Sequence, residues 1–87
     1  MKSRLAEVTN PLGLHAQPAA GFASLAMTFE SDIYVSRASG GPVVDGKNVI
    51  ELLGLDIWQG ETIAISAEGS DAGRAVDALA AFLEKRS

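Results

Sequence analysis

Alternating apolar and polar residues predict four short strands. They cover residues 4–8, 32–37, 43–44 and 61–68. The last is the clearest, because Ile63, Ile65 and Ala67 share one face while polar or small residues occupy the other. The third closes at the turn residues Asp45-Gly46. One-sided alternation of this kind is typical of an antiparallel sheet that buries one face and leaves the other in water.

Apolar residues at helical spacing predict three helices. The first begins at Ala16 and has a buried stripe of small and aromatic residues, and Pro18 fits only in its first turn. The second is short and opens at Asn48, with Glu51 placed to return a hydrogen bond to the backbone N–H of that cap. The third covers residues 72–86, with Ser70 as its expected cap.

These elements follow one another in the order βαββαβα, with no linker, repeat or low-complexity tract. Residues 1–87 are therefore expected to form one α+β domain. The helices should cover the apolar face of the sheet, which gives a two-layer open-faced sandwich. The second helix has more apolar positions than one buried stripe needs, so some of them should face water or a partner.

Composition excludes several classes of function. Seven Lys and Arg residues against eleven Asp and Glu residues give a net charge of −4, which disfavours nucleic-acid binding. The absence of Cys excludes disulfides and thiolate metal sites, and a single His excludes a multi-histidine metal site. No apolar run reaches membrane-span length and no signal peptide is evident, so we expect a cytoplasmic protein without membrane insertion.

The reactive side chain that stands out is His15, directly before the first helix. A helix start presents unpaired N–H groups and a positive dipole end, here at Ala16 and Gln17, and such a terminus binds phosphate readily. A neutral imidazole there can accept and release a phosphoryl group. On spacing alone, a lone loop histidine is more often a surface residue or a cap. A histidine-dependent hydrolase would need an orienting carboxylate, and the spacing identifies none.

The segment Gly-Leu-His-Ala-Gln-Pro-Ala-Ala at residues 13–20 resembles the phosphorylation signature of the HPr family, the phosphocarriers of the bacterial sugar phosphotransferase system. The resemblance extends over the whole chain. It includes the element order, residues 46–49 at the start of the short helix, Leu55, Gln59-Gly60 and residues 65–69.

The resemblance implies a four-stranded antiparallel sheet with three helices on one face, without metal or cofactor, and a monomer. It implies that His15 takes a phosphoryl group on Nδ1 from phosphorylated enzyme I and passes it to sugar-specific EIIA domains, so that the chain is a carrier and not an enzyme. The backbone N–H groups of Ala16 and Gln17 would bind the phosphoryl oxygens. An apolar docking surface would comprise Leu14, Val49, Ile50 and Leu53.

The sequence departs from the family pattern at several positions. Gln17 replaces an arginine that would place a fixed cation beside the phosphoryl group. Asn48 replaces a serine that a regulatory kinase phosphorylates in many Gram-positive members, so that control should be absent. No Lys or Arg occurs between Arg4 and Arg37, which weakens electrostatic attraction to an acidic enzyme I.

Two further interpretations follow from these departures. Lys85 or Arg86 could replace the missing cation, although basic residues at a helix C-terminus commonly offset its dipole. The chain could instead be a regulatory module that binds a protein partner through its second helix without productive phosphotransfer. A small-molecule-binding domain would need a concave polar pocket, which no local motif predicts.

Overall fold

The computed structural model describes residues 1–84, and these residues form four strands and three helices. The elements are β1 (Lys2–Glu7), α1 (Ala16–Met27), β2 (Asp32–Arg37), β3 (Val44–Asp45), α2 (Val49–Gly54), β4 (Thr62–Glu68) and α3 (Ala72–Glu84). The predicted order is confirmed, and most boundaries lie within two residues of those expected. The predicted extension of α3 to residue 86 lies outside the described residues.

Within residues 1–84 the strands make one antiparallel sheet in the order β1-β4-β2-β3. The central strand β4 pairs with β1, where Ala6 lies opposite Ile63, and with β2, where Val35 lies opposite Ile65. Because β4 has neighbours on both sides and helices over one face, its side chains alternate strictly between core and solvent. The predicted open-faced sandwich is confirmed.

The core lies between the sheet and the helices. Its largest fully buried side chains include Phe22, Leu52, Ile57 and Leu79, one from each helix and one from the loop before β4. Fully burying a side chain of this size contributes about 1.5–3 kcal/mol each to folding. The burial of Ile57 therefore anchors the loop before β4 in the core.

Small residues let α1 and α3 approach closely. A Cβ atom on Gly21 would lie 2.7 Å from the ring of Phe82, so only glycine fits there without displacing that ring. Phe82 in turn meets Phe22 edge-on, with ring centroids 6.5 Å apart and an interplanar angle of 68°. These contacts hold the middle of α1 against α3.

The cap of α2 is confirmed, but its predicted reciprocal bond is wrong. The Asn48 Oδ1 accepts hydrogen bonds from the backbone N–H groups of Ile50 at 3.0 Å and Glu51 at 3.2 Å. The backbone N–H of Asn48 is occupied by the carbonyl of Asp45 at 3.1 Å. The Glu51 carboxylate therefore binds the Asp45 N–H and the Asn48 side-chain amide instead.

The cap predicted at Ser70 is also wrong, because its hydroxyl donates to Glu30 at 3.2 Å and α3 begins two residues later. The neighbouring Asp71 carboxylate accepts hydrogen bonds from the Ser31 hydroxyl, the Glu30 N–H and the Ser31 N–H. These hydrogen bonds lower the pKa of Asp71 to about 2, and the bond from the Ser31 hydroxyl has the largest effect. Asp71 therefore fastens the start of α3 to the turn between α1 and β2.

None of the helices in residues 1–84 has the length and hydropathy needed to cross a lipid bilayer.

Candidate functional site

His15 lies at the N-cap position of α1. Its backbone is extended, with φ −127° and ψ 163°, and its side chain makes no capping hydrogen bond. The helix begins at Ala16, so the first N–H groups, including those of Ala16 and Gln17, have no acceptor within the helix. The first turn also holds no acidic residue that would offset the positive end of the helix dipole. The terminus can therefore receive an anion.

Gly13 brings this segment against the loop before β4. Its φ is +65°, a region that glycine enters freely. A Cβ atom at this position would overlap the carbonyl of Ile57 and lie 2.7 Å from the Cα of Trp58. The close approach allows the Leu14 N–H to donate to the Ile57 carbonyl at 2.9 Å. The two loops are consequently held side by side.

The ring of His15 packs against side chains from that second loop. Its centroid lies 4.1 Å from that of Trp58, with the ring planes tilted by 31°. Its Nε2 lies 3.5 Å from Oδ1 of Asp56, and Nε2 is buried and makes no hydrogen bond. The same Asp56 oxygen accepts a hydrogen bond from Trp58 Nε1 at 3.1 Å. The imidazole thus has an aromatic face on one side and a carboxylate at its inner nitrogen.

Arg37 and Glu61 hold this loop in place. Arg37 donates to the Asp56 carbonyl at 2.8 Å and to Glu61 Oε1 at 2.9 Å, while Glu61 Oε2 accepts the Trp58 N–H at 2.7 Å. The Trp58 N–H, followed by Arg37, lowers the pKa of Glu61. Asp56 follows α2 with φ +55°, the left-handed conformation common after a helix C-terminus, which aspartate tolerates better than most side chains.

The residues predicted for phosphoryl binding, His15, Ala16 and Gln17, do lie together at the start of α1. Gln17 is exposed, and with Pro18 it helps to line a cleft of about 750 Å³ whose other walls are Glu7, residues 9–13, Gln59 and the end of α3. Lys85 and Arg86, the predicted substitutes for a missing cation, lie outside the described residues.

One predicted docking residue is wrong. Leu14 is fully buried in the core, because the close contact between Gly13 and Ile57 turns its side chain inward. The other three lie on α2: Val49 is half-buried against the core, whereas Ile50 and Leu53 remain 72% and 37% exposed. The surplus of apolar residues on this helix therefore does face outward, and we call Val49, Ile50 and Leu53 the α2 patch.

Sequence reasoning missed Asp56 and Trp58. Both lie more than forty positions from His15 along the chain, so no local spacing connects them. Two weak signals were present: Trp58 is the single tryptophan of the chain, and Asp56 stands just after a helix, where glycine is the common residue.

Comparison with known proteins identifies close relatives. The sequence matches the family model described as "PTS HPr component phosphorylation site" over residues 2–85. The phosphocarrier protein HPr of Mycoplasma pneumoniae is 40% identical, covering 98% of this chain and 96% of that protein. The HPr-like protein Crh of Halalkalibacterium halodurans is 39% identical, covering 98% and 99%. The crystal structure of HPr-C-His from Thermoanaerobacter tengcongensis superposes with a TM-score of 0.90 at 37% identity, covering 97% of this chain and 92% of that chain.

Proposed function

The chain belongs to the HPr family of phosphocarriers, and we propose that it accepts a phosphoryl group on Nδ1 of His15 from phosphorylated enzyme I and passes it to EIIA domains in the cytoplasm. One observation carries this proposal: the imidazole stands at the open N-terminus of α1 with Nε2 buried and Nδ1 making no capping hydrogen bond. That nitrogen can meet a phosphoryl group while the free N–H groups of the helix bind its oxygens.

The chemistry is a pair of phosphoryl transfers. The Nδ1 lone pair forms a bond to phosphorus, and the bond from phosphorus to the donor atom of enzyme I breaks with its electron pair left on that donor. In the second step the acceptor atom of EIIA forms the new bond, and the electron pair of the P–N bond returns to Nδ1. The proton on Nε2 stays in place during both steps.

The bound phosphoryl group would rely on backbone donors more than on side-chain charge. The N–H groups of Ala16 and Gln17 and the positive end of α1 would stabilise its oxygens. Gln17 adds one amide donor and no charge, so the phosphorylated form lacks the bidentate contact that an arginine would supply.

The α2 patch supports docking of the partner enzymes. Ile50 and Leu53 expose apolar surface on α2, which packs against α1, the helix that begins directly after His15. Large apolar side chains left exposed beside polar ones are typical of interaction sites. Enzyme I and EIIA would each bury this patch in turn.

The test is incubation with phosphoenolpyruvate and enzyme I, followed by intact mass measurement at mildly alkaline pH and then addition of an EIIA domain. We expect acid-labile addition of one phosphoryl group that His15→Ala abolishes and that EIIA removes. Ser24→Ala, an exposed change on α1, serves as the control and should behave as the parent chain. No phosphorylation by several enzymes I would overturn the proposal and favour a regulatory module that binds partners through α2.

A further inference from the structure

We propose that Asp56 and Trp58 are positioning residues for His15, and that they determine which of its two ring nitrogens is phosphorylated. The inference deepens the proposed function and rests on it, since it concerns the same histidine. Asp56 and Trp58 hold Nε2 inward, which leaves Nδ1 as the nitrogen presented to a phosphoryl donor.

The first support is the environment of Nε2. Within residues 1–84 it is the one buried side-chain nitrogen or oxygen that makes no hydrogen bond. A buried polar atom without a partner is costly, and a nearby opposite charge offsets that cost. Asp56 Oδ1, 3.5 Å away, supplies this charge when Nε2 carries the proton. The tautomer with a proton on Nε2 leaves the lone pair on Nδ1, which is the form a nucleophile requires.

The second support is the contact with Trp58. With centroids 4.1 Å apart, the indole covers one face of the imidazole and restricts its rotation. The indole Nε1–H also donates to the Asp56 oxygen that faces Nε2. This hydrogen bond fixes the Trp58 indole and the Asp56 carboxylate relative to each other, so the two side chains restrain the His15 ring together.

The third support is the conformation of Asp56. Glycine occupies the left-handed position after a helix at no steric cost, and aspartate there is less favourable. The backbone of Asp56 is nevertheless held at φ +55°, with Arg37 bound to its carbonyl. The carboxylate at this position is therefore not needed for the turn itself, and its partners are His15 and Trp58.

The test uses a small chemical donor, phosphoramidate, in place of enzyme I. The lone pair of a ring nitrogen forms the new P–N bond, and the bond from phosphorus to the amine of phosphoramidate breaks so that ammonia leaves with its electron pair. The proportions of Nδ1- and Nε2-phosphohistidine among the initial products are measured by ¹⁵N and ³¹P NMR. We expect the parent chain to react at Nδ1.

Two variants should each make Nε2 of His15 more accessible, one by removing the carboxylate of Asp56 and the other by removing the indole of Trp58. Asp56→Gly removes the carboxylate at a position where glycine suits the backbone, and Trp58→Leu removes the aromatic face from a half-exposed position. Each should raise the proportion of Nε2 product about fivefold, the change expected from losing one close contact at a partly exposed site. Asp32→Asn, which makes the same change in net charge at the exposed start of β2, should leave the proportion unchanged.

The readout separates positioning from folding, because a loss of structure in either variant would appear in the amide NMR spectrum. Initial reaction of the parent chain at Nε2, or an unchanged product ratio in both variants, would overturn the inference. Reaction at Nδ1 with phosphoramidate but none with enzyme I would overturn the proposed function and leave the positioning role supported.

Discussion

The backbone N–H of Leu14 donates to the carbonyl oxygen of Ile57 at 2.9 Å, which links the residue before His15 to the residue before Trp58. Both Leu14 and Ile57 are fully buried, so this hydrogen bond is anchored in the core on each side. The surface contact between the imidazole and the indole is therefore a consequence of packing beneath it. A substitution that disrupts this hydrogen bond should therefore disturb the contact between His15 and Trp58 more than it disturbs the sheet.

Gly13→Ala tests this link. The new Cβ would overlap the Ile57 carbonyl, and alanine is disfavoured at φ +65°, so we expect a loss of about 1–3 kcal/mol in the free energy of unfolding. The two loops should also separate, which removes the upfield ring-current shift that Trp58 exerts on the His15 ring protons. Urea denaturation and NMR spectra measure the two effects.

The matched control is Gly73→Ala in α3, where a Cβ would have no neighbour within 4 Å. This change should stabilise the chain by up to about 1 kcal/mol through helix propensity and leave the His15 resonances in place. Equal stability of the two variants would contradict the role given to Gly13.

Asp71 makes the stability of the folded chain depend on pH in the acidic range. Its pKa is about 2 in the folded chain, against an ordinary value of 3.8, so between these values the unfolded chain binds more protons. Its contribution is fully present above about pH 4 and is lost as the pH falls toward 2. Asp71→Asn should therefore reduce the slope of melting temperature against pH in this range.

Thermal unfolding followed by circular dichroism between pH 2 and 6 measures the effect of Asp71. Asp32→Asn is the control for the change in net charge, and the comparison with Asp71→Asn isolates the hydrogen bonds from Ser31 and Glu30. Identical slopes for the parent chain and Asp71→Asn would show that these bonds do not stabilise the ionised carboxylate.

Gln17→Arg tests the missing cation. An arginine at this exposed position can contact the phosphoryl oxygens through two N–H groups, and we expect transfer from enzyme I to accelerate about three- to tenfold. Gln17→Lys supplies a positive charge but not the paired, planar N–H donors of a guanidinium, so it should increase the transfer rate less. Rapid-quench measurement of phosphohistidine formation gives the rates. An unchanged rate in Gln17→Arg would mean that the backbone donors of α1 already satisfy the phosphoryl group.

Sequence reasoning succeeded where a periodic pattern carries the information. The alternation of Ile63, Ile65 and Ala67 predicts β4, and the apolar surplus on α2 predicts exposed residues such as Ile50, because both follow from residues close in sequence. Asn48 was identifiable as a cap for the same reason.

The prediction failed where tertiary contacts decide. Leu14 lies in a loop with no period, and it is buried where Gly13 closely approaches the next loop. Asp56 and Trp58 meet His15 because α2 and the turn before β4 bring the loops together. The hydrogen bonds that Ser70 and Glu51 make are likewise with partners across a turn or another element, which local capping rules do not include.

Substitutions at two positions on α2 can distinguish an effect on partner binding from an effect on the stability of the fold. Ile50 is 72% exposed and Leu52 is fully buried, although they are two residues apart. Ile50→Ala should leave the free energy of unfolding within about 0.5 kcal/mol of the parent value. It should weaken binding to enzyme I about tenfold, as expected for an apolar anchor at the centre of an interface.

Leu52→Ala is the contrasting variant, because its cavity in the core should lower the free energy of unfolding by about 2–5 kcal/mol. The remaining folded fraction should bind enzyme I with affinity near that of the parent chain, since this side chain has no surface to offer a partner. Urea denaturation and titration calorimetry give the two quantities independently. Unchanged affinity in Ile50→Ala, with the phosphoryl transfer rate also unchanged, would exclude the α2 patch from the docking surface.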